Sequence, residues 1–305
     1  MVSINKFSRI LKIKDMKTIA NILPLVSMTF VALALSSCSD ETMEKTINGN
    51  EIRIEAIYPS QQTRTTSTGF ENGDEIGVFV VQEDAILQPF GNAVNNGRYT
   101  YNGSEWTPSR PFYWNEGKNN IYAYYPFAKE VDDTEAFSFN VSIDQSNGED
   151  YSLSDFLWAK AEGVQAGTSP VSLKFRHILS RALVEIVKSD SYEGELPENM
   201  EVFLHNTVTM ANVDLATGGV CKDAYAGAES IKMQRLSKAQ FSAIVVPQNI
   251  TTRRPLVEVI MGNISYLMEG TISFKQGYQH TITITVTENP QQAEINIGGG
   301  IGEWN

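Results

Sequence analysis

The sequence predicts an all-β protein made of two β-sandwich domains in tandem. From residue 51 onward, apolar and polar residues alternate with a period of two, which is typical of strands with one buried face. Turn residues separate these segments, and helical patterns are scarce. Many short strands joined by turns favour sandwiches, and the roughly 268 residues from Cys38 onward suit two domains of ordinary size.

The first predicted strands show the alternation clearly. On one face they place Ile52, Ile54, Ala56 and Tyr58, and then Ile76, Val78 and Val80. Asn102-Gly103 predicts a tight hairpin between residues 99–101 and 104–106, because this dipeptide accepts the positive φ angles of a type I′ turn. The other strands predicted in this half span residues 120–125, 136–143, 171–175 and 181–187.

The carboxy-terminal half continues the pattern after an acidic, turn-rich segment at residues 189–199. We place the domain boundary in this segment, which gives domains at residues 51–190 and 191–305. Residues 154–161, which belong to the amino-terminal half, predict a short helix or turn. In the carboxy-terminal half, Gly262-Asn263 predicts the turn of a hairpin. The strands predicted in this half span residues 201–205, 208–215, 241–246, 256–261, 265–271 and 278–287.

The amino terminus has the layout of a bacterial lipoprotein signal. Basic residues precede an apolar stretch that ends in Leu35-Ser36-Ser37-Cys38. This pattern predicts a signal peptide at residues 1–37, lipidation of Cys38 and an acidic tether at residues 38–50. Each buried CH₂ of an acyl chain contributes about 0.8 kcal/mol, so two or more chains anchor a protein to a membrane. An uncleaved anchor, and translation from Met16 instead of Met1, remain as alternatives.

The chain beyond the predicted signal is strongly acidic and has one cysteine besides Cys38. Without residues 1–37, 19 basic and 35 acidic residues remain, which gives a formal charge of −16. Such a surface repels phosphates, so nucleic acid is not an expected partner. Since Cys221 is then the one remaining free thiol, burial and strand pairing must stabilise the fold without a disulfide.

Motifs for catalysis, metals and cofactors are absent from the sequence. His177, His205 and His280 lie in or beside separate predicted strands and lack the spacing of a zinc site. Asp132-Asp133 and Glu149-Asp150 are interpreted as solvated turn residues, with calcium ligands as the alternative. We therefore predict a protein that is not an enzyme and has no metal and no cofactor.

Eight aromatic residues cluster between residues 106 and 127. Packing of neighbouring strands in a core accounts for most of them. The alternative is a ligand surface on which sugar rings stack, with Trp106 and Trp114 as its candidate residues.

Short motifs follow one another in a characteristic order over residues 50–190. They are Phe70–Phe79, Trp106-Thr107-Pro108, Phe112-Tyr113-Trp114, Ile121–Pro126, Asp144-Gln145-Ser146, Ser154–Ala159 and Leu173–His177. In order and spacing this half resembles the fimbrillin-like family, and the other half matches it through Val246-Pro247-Gln248 and the strand at 278–287. The resemblance implies two transthyretin-like β-sandwich domains and a pilus subunit or adhesin on the outer membrane.

The resemblance also implies a route of assembly. In such families an arginine-specific protease cuts the exported lipoprotein and frees its first strand, and a strand from another subunit fills the groove. Here Arg64 is the candidate cleavage site, because it lies in a polar stretch that follows the strand of Ile52, Ile54, Ala56 and Tyr58. An ordinary loop arginine is the alternative.

An apolar stripe near the end of the chain is the candidate donor strand. Ile295, Ile297 and Ile301 share one parity within residues 293–305. The alternative is that this segment completes the sheet of its own domain.

The expected function is that of a fimbrial structural subunit or adhesin, displayed as an outer-membrane surface lipoprotein and assembled by proteolysis-triggered donor-strand exchange. Its expected partners are other pilin subunits, the membrane through the lipid anchor, and a glycan or protein on a host or bacterial surface. The alternative is a carbohydrate-binding surface lipoprotein that does not polymerise. Stalk, anchor and tip positions in a pilus all remain open.

Overall fold

The computed structural model describes residues 50–59, 69–262, 264–289 and 293–304. The predictions for the signal peptide, for Cys38 and for Arg64 lie outside these residues. The first ten strands are β1 (Ile54–Ile57), β2 (Glu75–Gln82), β3 (Val94–Tyr101), β4 (Trp106–Pro108), β5 (Lys118–Tyr125), β6 (Phe137–Asn140), β7 (Leu157–Gln165), β8 (Val171–Lys174), β9 (Arg176–His177) and β10 (Ser180–Lys188).

The remaining strands confirm the prediction of an all-β chain. They are β11 (Met200–Val208), β12 (Met210–Asp214), β13 (Gly219–Lys222), β14 (Ala228–Lys232), β15 (Gln234–Arg235), β16 (Gln240–Val245), β17 (Gln248–Met261), β18 (Ile264–Phe274), β19 (Tyr278–Val286) and β20 (Glu294–Glu303). The helix in the described part of the chain is α1 (Gly148–Leu153), which has Asn147 as its N-cap. Glu149 and Asp150 occupy its first turn, where carboxylates interact favourably with the helix dipole.

The strands of the described residues form five sheets. In the amino-terminal half, an antiparallel sheet has the order β4-β3-β2-β5-β7-β9, and β1 pairs in parallel with β8. In the carboxy-terminal half, the orders are β15-β16-β10-β19-β20 and β14-β11-β17-β18. The fifth sheet, β13-β12-β6, joins a strand of the first half to two strands of the second.

The six-stranded sheet is buried on both faces. On one face Ile76 and Val78 of β2 pack in a first core together with residues of β1 and β8. On the other face Phe79 and Val81 belong to a larger core that extends through the strands of the carboxy-terminal half. β2 is therefore more completely buried than its predicted one-sided alternation implies.

Burial on two faces also explains why the prediction of a helix or turn at residues 154–161 is wrong. The helix ends before Ser154, and most of the segment is strand β7, which pairs with β5 and β9. Leu157 and Ala159 fill the first core, while Trp158 between them belongs to the larger one. A strand with apolar residues on both faces loses the period of two that marks a half-buried strand.

The predicted hairpin at Asn102-Gly103 is confirmed, but its turn type is not. Tyr101 pairs with Trp106, so four residues connect the strands instead of two. Gly103 has a positive φ of 92°, whereas Asn102 does not. The Asn102 side chain instead accepts a hydrogen bond from the N–H of Ser104 at 3.0 Å and thereby stabilises the turn.

Strand pairing does not follow the predicted boundary at residue 190. β10 lies between β16 and β19, so a boundary after it would separate it from both neighbours. The pairing favours a division between β9 and β10 instead. The contacts of the chain from Ile47 onward form one unit, and the number of domains remains a prediction.

Candidate functional site

The first-strand segment, residues 50–58, is hydrogen-bonded on both sides. On its first side the N–H of Ile52 donates to the carbonyl of Phe112 at 2.8 Å, and the N–H of Trp114 donates to the carbonyl of Asn50 at 3.0 Å. An antiparallel bridge between these same two stretches of chain accompanies the bonds. This side of the segment is therefore closed by the backbone that precedes β5.

The second side of the segment is closed by β8. The N–H groups of Val171 and Phe175 donate to the carbonyls of Arg53 and Ile57, at 2.8 and 2.9 Å. The parallel pairing of β1 with β8 lies between these two bonds. If the segment left, backbone donors and acceptors would be exposed along both walls of the gap, and such edges bind strands readily.

The side chains of the segment alternate as the sequence predicts. Ile52 and Ile54 are buried, and Ala56 and Tyr58 are partly buried against the same core. The hydroxyl of Tyr99 donates to the carbonyl of Ile52 at 3.1 Å. Burial raises the pKa of Tyr99, which keeps this hydroxyl protonated as a donor. The segment thus supplies an inner row of apolar side chains to the first core.

The candidate donor residues lie in the sheet of their own half. β20 pairs antiparallel with β19 at the edge of the five-stranded sheet, which is the arrangement that the sequence analysis names as the alternative. Ile295 and Ile297 are partly buried, while Ile301 is 52% exposed. Ile297 lies against Gly270 of β18, where even a Cβ atom would overlap its side chain.

The ends of the first-strand segment and of β20 meet at one buried histidine, His177. Its ring stacks on Trp304 with centroids 3.9 Å apart, and contacts the ring of Tyr58 edge-on at 5.9 Å. Asp155 holds the His177 Nδ1 atom at 2.9 Å. His177 Nε2 and Trp304 Nε1 are both buried, and neither has a hydrogen-bond partner among the residues that the structure describes. We call His177, Tyr58 and Trp304 the ring junction.

The interpretation of Trp106 and Trp114 as a ligand surface is wrong. The two residues are 8% and 5% exposed and belong to the first core. Because both side chains are almost fully buried, neither offers a free ring face on which a sugar could stack, and the ring of Phe70 lies 5.0 Å from that of Trp106. Within this aromatic cluster Tyr113 is exposed. Core packing, the other interpretation in the sequence analysis, accounts for both tryptophans.

Comparison with known proteins decides the family. The sequence profile described as fimbrillin-like matches residues 63–304. The chain belongs to the fimbrillin-like family. This family consists of structural proteins and not of enzymes, as the sequence predicts.

Individual relatives of this fimbrillin-like chain agree with the family. It is 29% identical over 157 residues to a Bacteroides ovatus protein named "Putative fimbrium tip subunit Fim1C", an alignment that covers 46% of the chain and 28% of that protein. Two crystal structures titled as putative cell adhesion proteins share its fold. The one from Bacteroides ovatus has a TM-score of 0.68 at 20% identity, with 84% of this chain and 98% of the other covered. The one from Bacteroides uniformis has a TM-score of 0.64 at 18% identity, with 85% and 99% covered.

Several carboxylate and histidine side chains of the fimbrillin-like chain have structural roles. Among the residues that the structure describes, no three His, Cys, Asp or Glu side chains group as a metal site requires. Asp133 accepts a backbone hydrogen bond from Glu135 at 2.8 Å and so stabilises a turn. The His280 Nε2 atom accepts from the N–H of Lys275 at 2.9 Å, and burial lowers the pKa of His280. No helix in the described ranges is long and apolar enough to cross a membrane.

Two parts of this site escape sequence reasoning. The stretch from Phe112 to Trp114 forms one wall around the first-strand segment, although the sequence shows there only an aromatic cluster. The ring junction brings together residues 58, 177 and 304, which are far apart in the chain. The one signal in the sequence that points to the first-strand segment is the resemblance to a family whose first strand is released.

Proposed function

We propose that this fimbrillin-like chain is a fimbrial structural subunit or adhesin at the cell surface. It is exported as a lipoprotein acylated at Cys38, cut after Arg64 and assembled by donor-strand exchange. Its partners are other pilin subunits, and on the assembled fibre a glycan or protein of a host or bacterial surface. Family membership supports the fimbrial role, and the first-strand segment supports the exchange.

The observation that best supports the proposal is the hydrogen bonding of the first-strand segment to neighbouring backbone on both of its sides. The segment is bonded to the backbone before β5 at residues 50–52 and to β8 at residues 53–57, and with its inner apolar row it leaves a groove when it departs. Burial of Ile52 and Ile54 contributes about 1.5–3 kcal/mol each, relative to exposure in water. An empty groove would lose this contribution together with the backbone bonds. A replacing strand must therefore have apolar residues with a period of two.

The position of Arg64 supports cleavage as the trigger. It follows the first-strand segment by six residues in a polar stretch, so a cut there separates the whole segment from the rest of the domain. Arg53 is a poor alternative, because its carbonyl is bonded to Val171 inside the paired region. Proteases need an extended, accessible chain, which a paired strand does not offer.

The experiment that tests the proposal is intact mass and amino-terminal sequencing of the protein from its native cell surface. We expect fibres whose subunits begin at Thr65 and carry no lipid. The variant Arg64→Gln should accumulate as a monomer with a lipidated Cys38, while the matched control Arg53→Gln should be processed normally. Lipidated monomers in the unaltered strain, or fibres from Arg64→Gln, would overturn the proposed processing.

A further inference from the structure

A cavity of about 320 Å³ lies beside the loop that joins β2 to β3. Four residues with amide side chains line it, namely Gln82, Gln88, Asn92 and Asn115. We propose that this cavity, which we call the amide cavity, binds an uncharged sugar of a surface glycan. The inference rests on the proposed role as an adhesin and adds to it a binding site and the chemical class of the ligand. The lining residues differ from those of the first-strand segment and of the ring junction.

The loop beside the amide cavity is fixed at two points. Leu87 is buried in the larger core, and its carbonyl accepts a hydrogen bond from the hydroxyl of Thr134 at 3.3 Å. Asn92 Nδ2 donates to the carbonyl of Gln88 at 2.6 Å and to Asn95 Oδ1 at 2.8 Å. A ligand therefore does not have to order this loop, which removes part of the entropic cost of binding.

Three of the four amides are available to a ligand. The side chains of Gln82, Gln88 and Asn115 are exposed, and none is hydrogen-bonded to another residue that the structure describes. Each amide group has two N–H donors and a carbonyl acceptor, and each sugar hydroxyl is both a donor and an acceptor. One amide can therefore donate to a hydroxyl and accept from its neighbour on the same sugar ring.

The charge of the lining excludes ionic ligands. Within the described residues no charged side chain lines the amide cavity, and Glu83 and Asp84, which follow Gln82 in the loop, are both acidic. A sulfate, phosphate or sialic acid group would find no cationic partner here, and these two carboxylates would repel it. A calcium ion would lack the carboxylate ligands that it prefers. An uncharged ligand with many hydroxyl groups fits this lining.

Two exposed apolar side chains accompany the amides. Ile86 lines the cavity and is 75% exposed, and Phe90 is 71% exposed directly before Gly91, which is another lining residue. A sugar ring has an apolar face of C–H groups that packs on such side chains while its hydroxyls bond to polar ones. Apolar contact combined with a few oriented polar groups is typical of sites for small ligands.

A peptide fits the amide cavity less well than a sugar. Extended peptides commonly bind by adding a strand to a free sheet edge. β2 lines the cavity at Val81 and Gln82, and it is already paired with β3 on one side and with β5 on the other. The backbone of a peptide therefore finds no free edge of β2 here, whereas sugar hydroxyls need only the side-chain amides.

Glycan binding by the purified full chain carrying Cys38→Ser tests the site. The probes are immobilised glucose, galactose, mannose and N-acetylglucosamine, with sialic acid and heparin as anionic controls. We expect saturable binding to at least one of the four neutral sugars, and displacement by the same sugar in solution. Binding to the anionic probes alone, or to none of the panel, would overturn the proposal.

Single substitutions locate the binding site. Gln88→Ala and Asn115→Ala each remove one amide and should weaken binding roughly three- to tenfold, the loss expected for one or two hydrogen bonds. Phe90→Ala should also weaken it, because the apolar face of the sugar loses its contact. Asn140→Ala and Tyr225→Ala remove an exposed amide and an exposed ring elsewhere and should bind normally. Circular dichroism checks that each variant is folded. Unchanged binding by all three cavity variants, or equal losses in the two controls, would contradict the assignment.

Fibre assembly is measured separately in the native strain. If fibres form and the purified chain binds no neutral sugar of the panel, the inference about the amide cavity fails while the fimbrial role stands. If the cavity binds a sugar and the chain never enters fibres, the proposed assembly fails while the site stands. The two proposals can therefore fail independently.

Discussion

The packing of the first-strand segment can be tested with two isoleucines of the same strand. Ile54 is 5% exposed and belongs to the first core, whereas Ile57 is 41% exposed on the opposite face. Replacement by alanine removes three carbon groups in both cases. The two variants therefore differ in burial and not in chemistry or in β-propensity.

The structure sets the size of the expected effect. At about 0.8 kcal/mol per buried CH₂, Ile54→Ala loses about 2.4 kcal/mol of transfer free energy. The cavity left in the core adds to this loss, so the free energy of unfolding should fall by about 3–4 kcal/mol. Ile57→Ala should lower it by about 1 kcal/mol or less, since much of that side chain is already in water.

Urea unfolding followed by circular dichroism measures both variants. We expect the midpoint to fall with an unchanged slope, and the melting temperature of Ile54→Ala to fall by roughly 6–16 °C. If the two variants lose the same free energy within about 0.5 kcal/mol, the first-strand segment does not pack as described. The proposed groove would then have no apolar row to exchange.

Three further predictions concern the carboxy-terminal half, each checked by the free energy of unfolding in urea. Gly270→Ala should destabilise the chain by about 1–3 kcal/mol, because the added methyl group overlaps the side chain of Ile297. The same substitution should cost clearly less in an Ile297→Ala background. Equal losses in both backgrounds would show that the two residues do not interact. Trp304→Ala should lose about 3–5 kcal/mol, because its ring is buried against His177. Ile301→Ala, at an exposed position of the adjoining strand β20, should lose under about 1 kcal/mol. Burial lowers the pKa of His280, so the unfolded chain binds its proton more tightly, and stability present above the unfolded pKa of about 6.5 is lost as the pH falls below it. His280→Gln should therefore lose less stability between pH 7.5 and pH 5.5 than the unaltered chain, and an identical loss would refute this assignment.

The strands were predictable from the sequence where one face is buried and the other is solvated. The alternation at Ile52 and Ile54 predicts the inward row that the structure contains, and the alternation after Tyr278 predicts β19. Gly262 also turns the predicted hairpin between β17 and β18, with a positive φ of 62°. Local patterns suffice in these cases, because side-chain direction depends only on the strand itself.

Features that depend on tertiary contacts were not predictable. Residues 157–165 form a strand buried on both faces, which hides its period, and β10 pairs with strands that come more than fifty residues later in the chain. Trp106 and Trp114 are buried by core residues from several strands that are distant in the sequence, so their burial depends on the tertiary fold. The candidate site lies where the first-strand segment and the end of the last strand come together. Their meeting at His177 has no counterpart in any local pattern.

The four tryptophans of the chain give strand exchange a built-in optical signal. All four are buried, but Trp114 borders the first-strand segment and Trp304 lies just beyond β20, stacked on the imidazole of His177. The indole N–H of Trp158 donates to the carbonyl of Leu215 at 2.8 Å and not to either of these strands, so this tryptophan provides an internal reference. Departure of the first strand would expose Trp114, departure of the last strand would expose Trp304, and exposure to water shifts tryptophan emission to longer wavelength. The order in which a subunit opens its two ends can thus be followed in real time without any attached label.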